Sequence, residues 1–319
     1  MALLGNDLGG TKIVVAIFTV DGKMISHEKI LLNGRKGSEV GVLITNLIKS
    51  NLKKVKVQGH PIDAIGLSVP GIYNKNTGTV WAPNIPGWED YPLMEELNQL
   101  NTHISATINN DRACYVSGES WMGNAKTCKD LIYLSVGTGI GAGIMVNGII
   151  LNGANDIAGA LGWLTFSKTF DSKYKGTGYL EYYASGPGIS RHAEMLANGA
   201  DNYTGDLKGR PGILSCHDVF AAYADNDLIA VQVIDHCIEL WGKTVANLVS
   251  IFNPQKIIIG GGVFGPAKAL IPAIKVEALR WAQPISYDLF ALESTALGED
   301  AGVYGAAFLA WQHLNRLRS

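Results

Sequence analysis

Two short glycine-rich segments carry residue types that suit the binding of a polyanion. The first is Asp7-Leu8-Gly9-Gly10-Thr11-Lys12, and the second is Gly137-Thr138-Gly139-Ile140-Gly141. Glycines let the backbone approach a phosphate and aim N–H groups at it, while Thr11 and Lys12 add a hydroxyl and a positive charge. The first segment is not a P-loop, because a strand rather than a helix follows it. Both segments are compatible with ordinary hairpin turns, but their repetition favours two turns that hold phosphates from both sides.

A third glycine cluster, Gly260-Gly261-Gly262, directly follows the apolar segment Lys256–Ile259. Ligands of open α/β sheets bind beyond the carboxyl ends of the strands. Gly261 and Gly262 are therefore candidates for lining an adenosine pocket, although such a cluster alone is a weak indication.

A carboxylate stands at a predicted strand-to-helix junction, where Asn110-Asp111 follows the strand Ile104–Ile108 and opens the helix Asp111–Trp121. Aspartate is a favoured helix N-cap, and that role alone would explain Asp111. An aspartate that faces phosphate-binding turns can instead accept the proton of a substrate hydroxyl during phosphoryl transfer. Both interpretations remain open at this point.

The elements that must hold these segments alternate between strands and helices, which predicts an α/β protein. Each half begins with a strand, a Gly/Thr turn and a returning strand that ends at a turn dipeptide, Asp21-Gly22 or Asn147-Gly148. This repetition predicts two related halves. The strands are expected at 3–8, 13–20, 23–31, 62–69, 104–108, 131–136, 142–146, 256–259 and 288–293. The helices are expected at 40–52, 93–100, 111–121, 179–198 with a break at 186–187, 216–224, 228–252, 267–281 and 301–316.

Composition excludes several classes of protein. The 319 residues suggest two domains, and 26 Lys+Arg against 28 Asp+Glu argue against nucleic-acid binding. No uninterrupted apolar run approaches the roughly 18 residues of a membrane span, and Met1–Asp7 lacks a basic leader. The four scattered cysteines form no CxxC pair, so neither a disulfide framework nor a cysteine metal site is expected. We therefore expect a cytoplasmic protein.

Taken together and in order, these motifs resemble the ROK family (repressors, open reading frames and sugar kinases). That family comprises bacterial hexose kinases of the actin/hexokinase-like ATPase fold. The resemblance spans nearly the whole chain, and the ordered set is specific where any single motif is not. Besides the segments above, the matching segments are Ser68-Val69-Pro70-Gly71, Ala82-Pro83-Asn84-Ile85-Pro86-Gly87-Trp88, Asn152-Gly153-Ala154-Asn155 and Gly178-Tyr179-Leu180-Glu181.

The resemblance implies a fold, a division into domains and an activity. The fold would be a duplicated, two-domain actin-like ATPase (ribonuclease H-like) fold. A small α/β domain would comprise residues 1–113 plus 305–319, and a large α/β domain residues 114–304. The activity would be ATP-dependent phosphorylation of a hexose or N-acetylhexosamine, at the 6-hydroxyl. A homodimer is expected, whereas a DNA-binding segment is not, since the first strand already begins near Leu3.

The resemblance also implies roles for individual residues. Asp111 would be the base, and Asp7 would hold Mg²⁺ through water. The sugar would be bound by Gly71, Asn84, Asn110 and Glu181. The nucleotide would be bound by Gly9, Gly10, Thr11, Lys12, Thr138, Gly139, Gly261 and Gly262.

The chain departs from the family at two neighbouring motifs. Where many members have Ala-Gly-Glu-x-Gly-His, this chain has Ala158-Gly159-Ala160-Leu161-Gly162-Trp163. The family's Glu, which contacts the sugar, is thus Ala160, and its His, which contacts sugar and zinc, is Trp163. The three cysteines of the family's zinc segment are replaced by Ser172, Tyr174 and Tyr179. Because zinc needs thiolate or imidazole ligands, no structural zinc is expected.

Two interpretations of these replacements remain open. In one, Trp163, Tyr174 and Tyr179 fill the space of the lost metal site by packing. In the other, Ala160 and Trp163 belong to the sugar pocket, where the smaller residue leaves room for a substituent and the indole offers a stacking face.

The function has alternatives as well. A non-catalytic, sugar-binding regulatory protein that retains the kinase fold would explain the altered pocket residues. The presence of Asp111 and both phosphate turns argues against such a protein. An actin-like polymer or chaperone would not require Asn84, Asn110 and Glu181 together.

Overall fold

The structure is a computed structural model that describes residues 1–57, 61–100, 103–209 and 212–318. The chain forms two compact units. The first comprises Met1–Thr127, Ile150–Ala158 and Ala296–Ser319, and the second comprises Cys128–Ile149 and Gly159–Thr295.

Strands and helices alternate along the chain, as the sequence predicts. The strands are β1 (Ala2–Leu8), β2 (Lys12–Thr19), β3 (Met24–Leu31), β4 (Ile62–Val69), β5 (Ile72–Asn74), β6 (Thr79–Trp81), β7 (Ser105–Asn110), β8 (Leu131–Val136), β9 (Ile140–Val146), β10 (Ile149–Ile150), β11 (Lys256–Gly260) and β12 (Ala291–Ser294). The helices are α1 (Ser38–Val57), α2 (Leu93–Asn98), α3 (Asp111–Trp121), α4 (Tyr179–Ala184), α5 (Gly186–Gly199), α6 (Cys216–Ala224), α7 (Leu228–Phe252), α8 (Ile271–Trp281) and α9 (Ala301–Arg318).

The two five-stranded sheets have the same arrangement. Their orders are β3-β2-β1-β4-β7 and β10-β9-β8-β11-β12. In each, the first strand pairs antiparallel with the next strand of the chain and parallel with the strand on its other side. The outermost parallel pairs are β4–β7 and β11–β12. The predicted α/β class with related halves is therefore confirmed.

The first sheet is buried on both faces, which explains the nearly continuous apolar sequences of β1, β2 and β4. One face packs against α1 and α2 through residues such as Ile44 and Leu97. The other face packs against α9, where Val303 and Ala307 contact the cluster that includes Phe18. The sheet thus holds the glycine turn between β1 and β2 on a rigid base.

The second unit has its own core, built around the long helix α7. Trp241 of this helix is fully buried, and its Nε1–H donates to the Ala184 carbonyl oxygen at 3.2 Å. This hydrogen bond joins α7 to the end of α4, which carries Glu181 in its first turn.

The compact units differ from the expected domain boundaries, which placed residues 114–304 in one domain. In the structure α3 packs against α9. Glu119 of α3 is fully buried, and its Oε1 accepts the backbone N–H groups of Ala296 (3.1 Å) and Leu297 (3.3 Å). These contacts group the rest of α3 and residues 296–304 with the first unit.

Other differences are small. The hairpin β5–β6 was not predicted, because its strands have only three residues each. The helix expected from residue 267 begins at Ile271, after a 3₁₀ segment, Pro266–Leu270. None of the helices within the described ranges has the length and apolarity needed to cross a membrane.

Candidate active site

The first glycine turn is closed by a hydrogen bond from the Gly9 N–H to the Lys12 carbonyl oxygen, at 2.8 Å. This bond leaves Gly10 exposed at the tip. A Cβ on Gly10 would lie 3.1 Å from the Cβ of Asn84, so the turn borders the exposed Asn84 side chain. The structure thus brings a predicted phosphate-binding residue and a predicted sugar-binding residue side by side.

The loop that carries Asn84 is held firmly. Trp88 is buried, its Nε1–H donates to the Gly37 carbonyl oxygen at 3.0 Å, and its N–H donates to Ile85 O at 3.1 Å. Gly71, at the start of the same region, has φ +121°, and a Cβ there would overlap the Trp81 carbonyl oxygen. Only glycine fits that position.

Lys12, predicted to contact phosphates, is engaged by a carboxylate. Its Nζ lies 2.6 Å from Oε2 of Glu299, and Lys29 Nζ lies 3.0 Å from the same oxygen. Hydrogen bonds from the two ammonium groups lower the pKa of Glu299 to about 2. The ammonium group of Lys12 is therefore engaged in an ion pair in this structure.

Asp7 lies at the end of β1 and is partly buried. Burial raises the pKa of Asp7 to about 7, and the negative charge of Asp111 contributes to the rise. A Cβ on Gly302 in α9 would overlap the Asp7 carboxylate, so α9 packs directly against this side chain. Carboxylate oxygens suit Mg²⁺, and a divalent cation would offset both the burial and the repulsion. The surroundings of Asp7 therefore fit the predicted metal.

Asn110, rather than Asp111, is the N-cap of α3. Its Oδ1 accepts the Ala113 N–H at 2.8 Å, and Asp111 is the first helical residue. The interpretation of Asp111 as the cap is therefore wrong. Asp111 Oδ1 accepts the Arg112 N–H at 2.8 Å, which orients the carboxylate. Burial raises the pKa of Asp111, and the Arg112 guanidinium opposes this rise.

In the second unit, the turn between β8 and β9 lies against Glu181. The Gly137 N–H donates to the Gly139 carbonyl oxygen at 2.9 Å. Oε2 of Glu181 accepts the Ile140 N–H at 2.7 Å, and a Cβ on Gly139 would come within 2.9 Å of that same oxygen. Burial raises the pKa of Glu181. The structure thus joins a predicted phosphate turn to a predicted sugar-binding carboxylate.

A cavity of about 500 Å³ adjoins the same turn. Thr138 and Gly262 line it, whereas Gly139 lies against Glu181 and Gly261 lies against Val136. Both α5 and α6 begin at this cavity, at Gly186 and Cys216. The positive end of the α6 dipole favours an anionic ligand at this cavity. The first turn of α5 offers no free N–H donors to such a ligand, because the Gly186 N–H donates to the Gly137 carbonyl oxygen at 2.8 Å and the Gly188 N–H donates to Ser185 Oγ at 3.1 Å. We call this space the nucleotide cavity, after the ligand predicted for Thr138 and Gly262.

Sequence reasoning missed part of this cavity. Arg191, Cys216 and His217 also line it. Arg191 is held in place, since its Nη2 donates to Tyr182 O at 2.6 Å and its guanidinium stacks 4.1 Å from the Tyr182 ring centroid. The capping box of Ser215 and Asp218 marks the start of α6 and was the available signal.

The region of the family's zinc segment is filled by aromatic side chains. The rings of Tyr174 and Tyr179 meet edge to face with centroids 5.0 Å apart, and Tyr179 also contacts Phe166 and Tyr183. Ser172 is exposed in a 3₁₀ turn. In the described part of the chain, no three His, Cys, Asp or Glu side chains group as metal ligands would.

Trp163 does not join this packing. It is 59% exposed and lines a second cavity of about 450 Å³ together with Tyr174 and Tyr179. Packing therefore accounts for the two tyrosines but not for Trp163. Ala160 lies in the same turn, where its carbonyl oxygen accepts the Trp163 N–H at 3.3 Å.

Two histidines of the second unit lie together. The rings of His192 and His236 have centroids 5.2 Å apart, and each contacts Tyr183. Burial and the neighbouring His236 lower the pKa of His192 to about 4. This pair is neutral at pH 7 and has a packing role.

Comparison with known proteins gives consistent results. The model of the ROK family matches residues 3–313. A glucokinase of Halalkalibacterium halodurans is 35% identical over 98% of this chain and 96% of its own length. An N-acetyl-D-glucosamine kinase of Yersinia pseudotuberculosis is 27% identical over 96% of this chain and 97% of its own length.

Solved structures are similar over their full length. The ROK hexokinase of Thermus thermophilus has a TM-score of 0.82 and 27% identity, covering 99% of this chain and 100% of that one. A ROK glucokinase of Streptomyces griseus, solved with glucose and AMPPNP, has a TM-score of 0.76 and 26% identity, covering 98% and 100%.

Proposed function

We propose, since the chain belongs to the ROK family, that it transfers the γ-phosphoryl group of ATP to the 6-hydroxyl of a hexose or N-acetylhexosamine, with Asp111 as the base. The family resemblance, the actin-like ATPase fold and the enzyme class of ATP-dependent sugar kinase, all predicted from the sequence, are confirmed. The acceptor hydroxyl and the residue roles are the finer part of the proposal.

The placement of Asp111 supports its role above all other observations. Asp111 is the first residue of α3, its carboxylate is oriented by the Arg112 N–H, and its charge is close enough to Asp7 to raise the pKa of Asp7. The sugar hydroxyl that accepts the phosphoryl group does not need a strong base, because the transition state is loose. A well-placed carboxylate oxygen that orients this hydroxyl and takes its proton is sufficient. Burial raises the pKa of Asp111, which makes it a better proton acceptor than a solvated aspartate.

The sugar-binding groups have the hydrogen-bonding capacity that this role requires. Oδ1 of Asn110 is occupied by the helix cap, which leaves the Nδ2 donors for a hydroxyl. Oε2 of Glu181 is occupied by the Ile140 N–H, which leaves Oε1 to accept from hydroxyls. Asn84 is exposed and supplies both a donor and an acceptor. Gly71 is proposed to border the sugar without a side chain of its own.

The nucleotide is proposed to bind through both glycine turns and the nucleotide cavity. Gly9, Gly10, Thr11 and Lys12 would contact phosphates from the first unit, and Thr138, Gly139, Gly261 and Gly262 from the second. Asp7 would hold Mg²⁺ through water. When bound, the ion neutralises charge on the phosphates during transfer.

A coupled ADP-release assay over free hexoses and N-acetylhexosamines tests the proposal. Wild type should turn over at least one sugar, and Asp111→Ala should lose about 10²- to 10⁴-fold in kcat. Asp288→Ala, which removes an exposed aspartate of the second unit, is the matched control and should retain full activity. If no sugar is phosphorylated but sugars still raise the melting temperature, the kinase proposal is rejected in favour of a non-catalytic, sugar-binding regulatory protein. The homodimer and the cytoplasmic location remain predictions.

A further inference from the structure

The cavity beside Trp163 is distinct in its lining from the nucleotide cavity. Its volume is about 450 Å³, within the range of small-molecule sites. Its lining combines aromatic side chains with hydroxyl and ammonium groups. The lining residues are Trp163, Thr165, Ser167, Lys168, Thr169, Phe170, Tyr174, Lys175, Gly178 and Tyr179. We call it the aromatic cavity.

Two large aromatic side chains at this cavity are left to solvent. Phe170 is 74% exposed and Trp163 is 59% exposed, and neither belongs to a core cluster of the described residues. Leaving two aromatic faces in water next to one concave surface forgoes the free energy that burial would provide. Such an arrangement marks a binding site more often than a scattered surface residue does.

The wall of the cavity is well defined. The Leu180 N–H donates to the Leu164 carbonyl oxygen at 3.1 Å, which ties the start of α4 to the turn of Trp163. Ser167 Oγ donates to the Thr169 carbonyl oxygen at 2.8 Å and accepts the Thr169 N–H at 3.2 Å. These bonds fix the loop that presents Phe170.

Trp163 of the aromatic cavity is the chain neighbour of a residue that packs against Glu181. Trp163 directly follows Gly162, and a Cβ on Gly162 would lie 2.7 Å from Oε2 of Glu181. A Cβ on Gly178 would come within 2.5 Å of the Trp163 Cα, so the residue that precedes α4 lies directly against Trp163. A sugar bound by Glu181 therefore has the aromatic cavity next to it within the same unit.

We propose that the aromatic cavity is a subsite for a glycosyl substituent, so that the favoured acceptor is a disaccharide whose second pyranose lies between Trp163 and Phe170. The C–H groups of a pyranose face carry partial positive charge and pack against the negative face of an aromatic ring. The hydroxyls of Thr165 and Thr169 and the ammonium groups of Lys168 and Lys175 can bond its hydroxyls. This inference rests on the proposed sugar kinase and names its substrate class.

The test compares free glucose with maltose, cellobiose and sucrose in the ADP-release assay. For wild type we expect a KM for at least one disaccharide about tenfold below the KM for glucose. Phe170→Ala should raise that disaccharide KM about three- to tenfold, the value of one aromatic contact. Its kinetics with glucose should stay within about twofold. Leu289→Ala removes another exposed apolar side chain outside the cavity and should change neither KM.

Two results would overturn the inference while leaving the kinase intact. One is phosphorylation of glucose without phosphorylation of any disaccharide. The other is an equal response of both KM values to Phe170→Ala. If no sugar is phosphorylated at all, calorimetric titration of the same disaccharides decides separately. Binding by wild type that weakens in Phe170→Ala would support the subsite even though the proposed activity failed, and absence of binding would reject both.

Discussion

Lys12 Nζ lies 2.6 Å from Oε2 of Glu299, so the one lysine of the first glycine turn is paired with a carboxylate from the segment that precedes α9. Glu299 also binds Lys29, and its side chain is 72% exposed. The pair is thus accessible to a competing anion. A triphosphate is a stronger competitor for the ammonium than an exposed carboxylate, since it carries more charge.

The first prediction concerns this competition. Glu299→Gln should lower the KM for ATP about two- to threefold, because Lys12 no longer has to leave a carboxylate, which is worth under about 1 kcal/mol at an exposed site. Lys12→Met should raise that KM, since it removes the ammonium group that we propose contacts the phosphates. Initial rates against ATP concentration measure both. Glu239→Gln breaks the comparable pair with Lys243 and serves as control. A rise in KM for Glu299→Gln would mean that Glu299 positions Lys12 instead.

The second prediction concerns the pH dependence of stability at Asp7. Its pKa rises from an unfolded value near 3.9 to about 7 in the folded protein. The stability linked to its proton is therefore complete below about pH 4 and is lost as the pH rises through 7. In urea unfolding at pH 8, the free energy of unfolding of Asp7→Asn should exceed that of wild type by at most about 4 kcal/mol. At pH 4 the two free energies should differ little.

Magnesium gives this prediction a second measurement. At pH 8, where Asp7 is ionised, added Mg²⁺ with ATP should raise the free energy of unfolding of wild type. The increase for Asp7→Asn should be smaller. Asp288→Asn, at an exposed site, should match wild type throughout. A wild-type protein whose stability does not fall relative to Asp7→Asn between pH 5 and pH 8 would contradict the raised pKa.

The third prediction concerns Gly302. A Cβ there would overlap the Asp7 carboxylate, and this flexible side chain can move away at small cost to stability. Gly302→Ala should therefore lower kcat and raise the Mg²⁺ requirement while the melting temperature changes little. Gly199→Ala adds a methyl group in open space at the end of α5 and is the matched control. Unchanged kcat and Mg²⁺ requirement of Gly302→Ala would contradict the proposal that Asp7 holds Mg²⁺.

The fourth prediction concerns the aromatic cluster at the family's zinc segment. Tyr179 contacts Phe166, Tyr174 and Tyr183, so Tyr179→Ala should cost about 2–3 kcal/mol in urea unfolding. Tyr287→Ala, at an exposed tyrosine, should cost little. EDTA should leave the melting temperature of wild type unchanged, because packing stabilises this region. A drop with EDTA, restored by Zn²⁺, would contradict this account.

Local patterns predicted the elements that carry the site. The apolar runs of β1 and β2 around Gly9-Gly10, and the junction at Asp111, follow from periodicity and turn chemistry, which are short-range properties. What the sequence did not reveal depends on distant contacts. Glu119 accepts the backbone N–H of Ala296, and the ring of His192 contacts that of His236. These residues are far apart in the sequence, and only the tertiary structure brings them together. The exposure of Trp163 is likewise a property of the tertiary structure that the local sequence did not reveal.

The packing of α9 has a consequence for the order of events in biosynthesis. Leu3, Val14 and Phe18 are covered by Val303, Ala307 and Ala310, which are translated after every segment of the second unit. Since chains emerge from the amino terminus, this face of the first sheet stays uncovered until α9 has been synthesised. The second unit, whose segments end at Thr295, can acquire its core earlier. The unit whose synthesis begins first is thus completed after the second unit, and the nascent chain exposes an apolar sheet face until α9 is made.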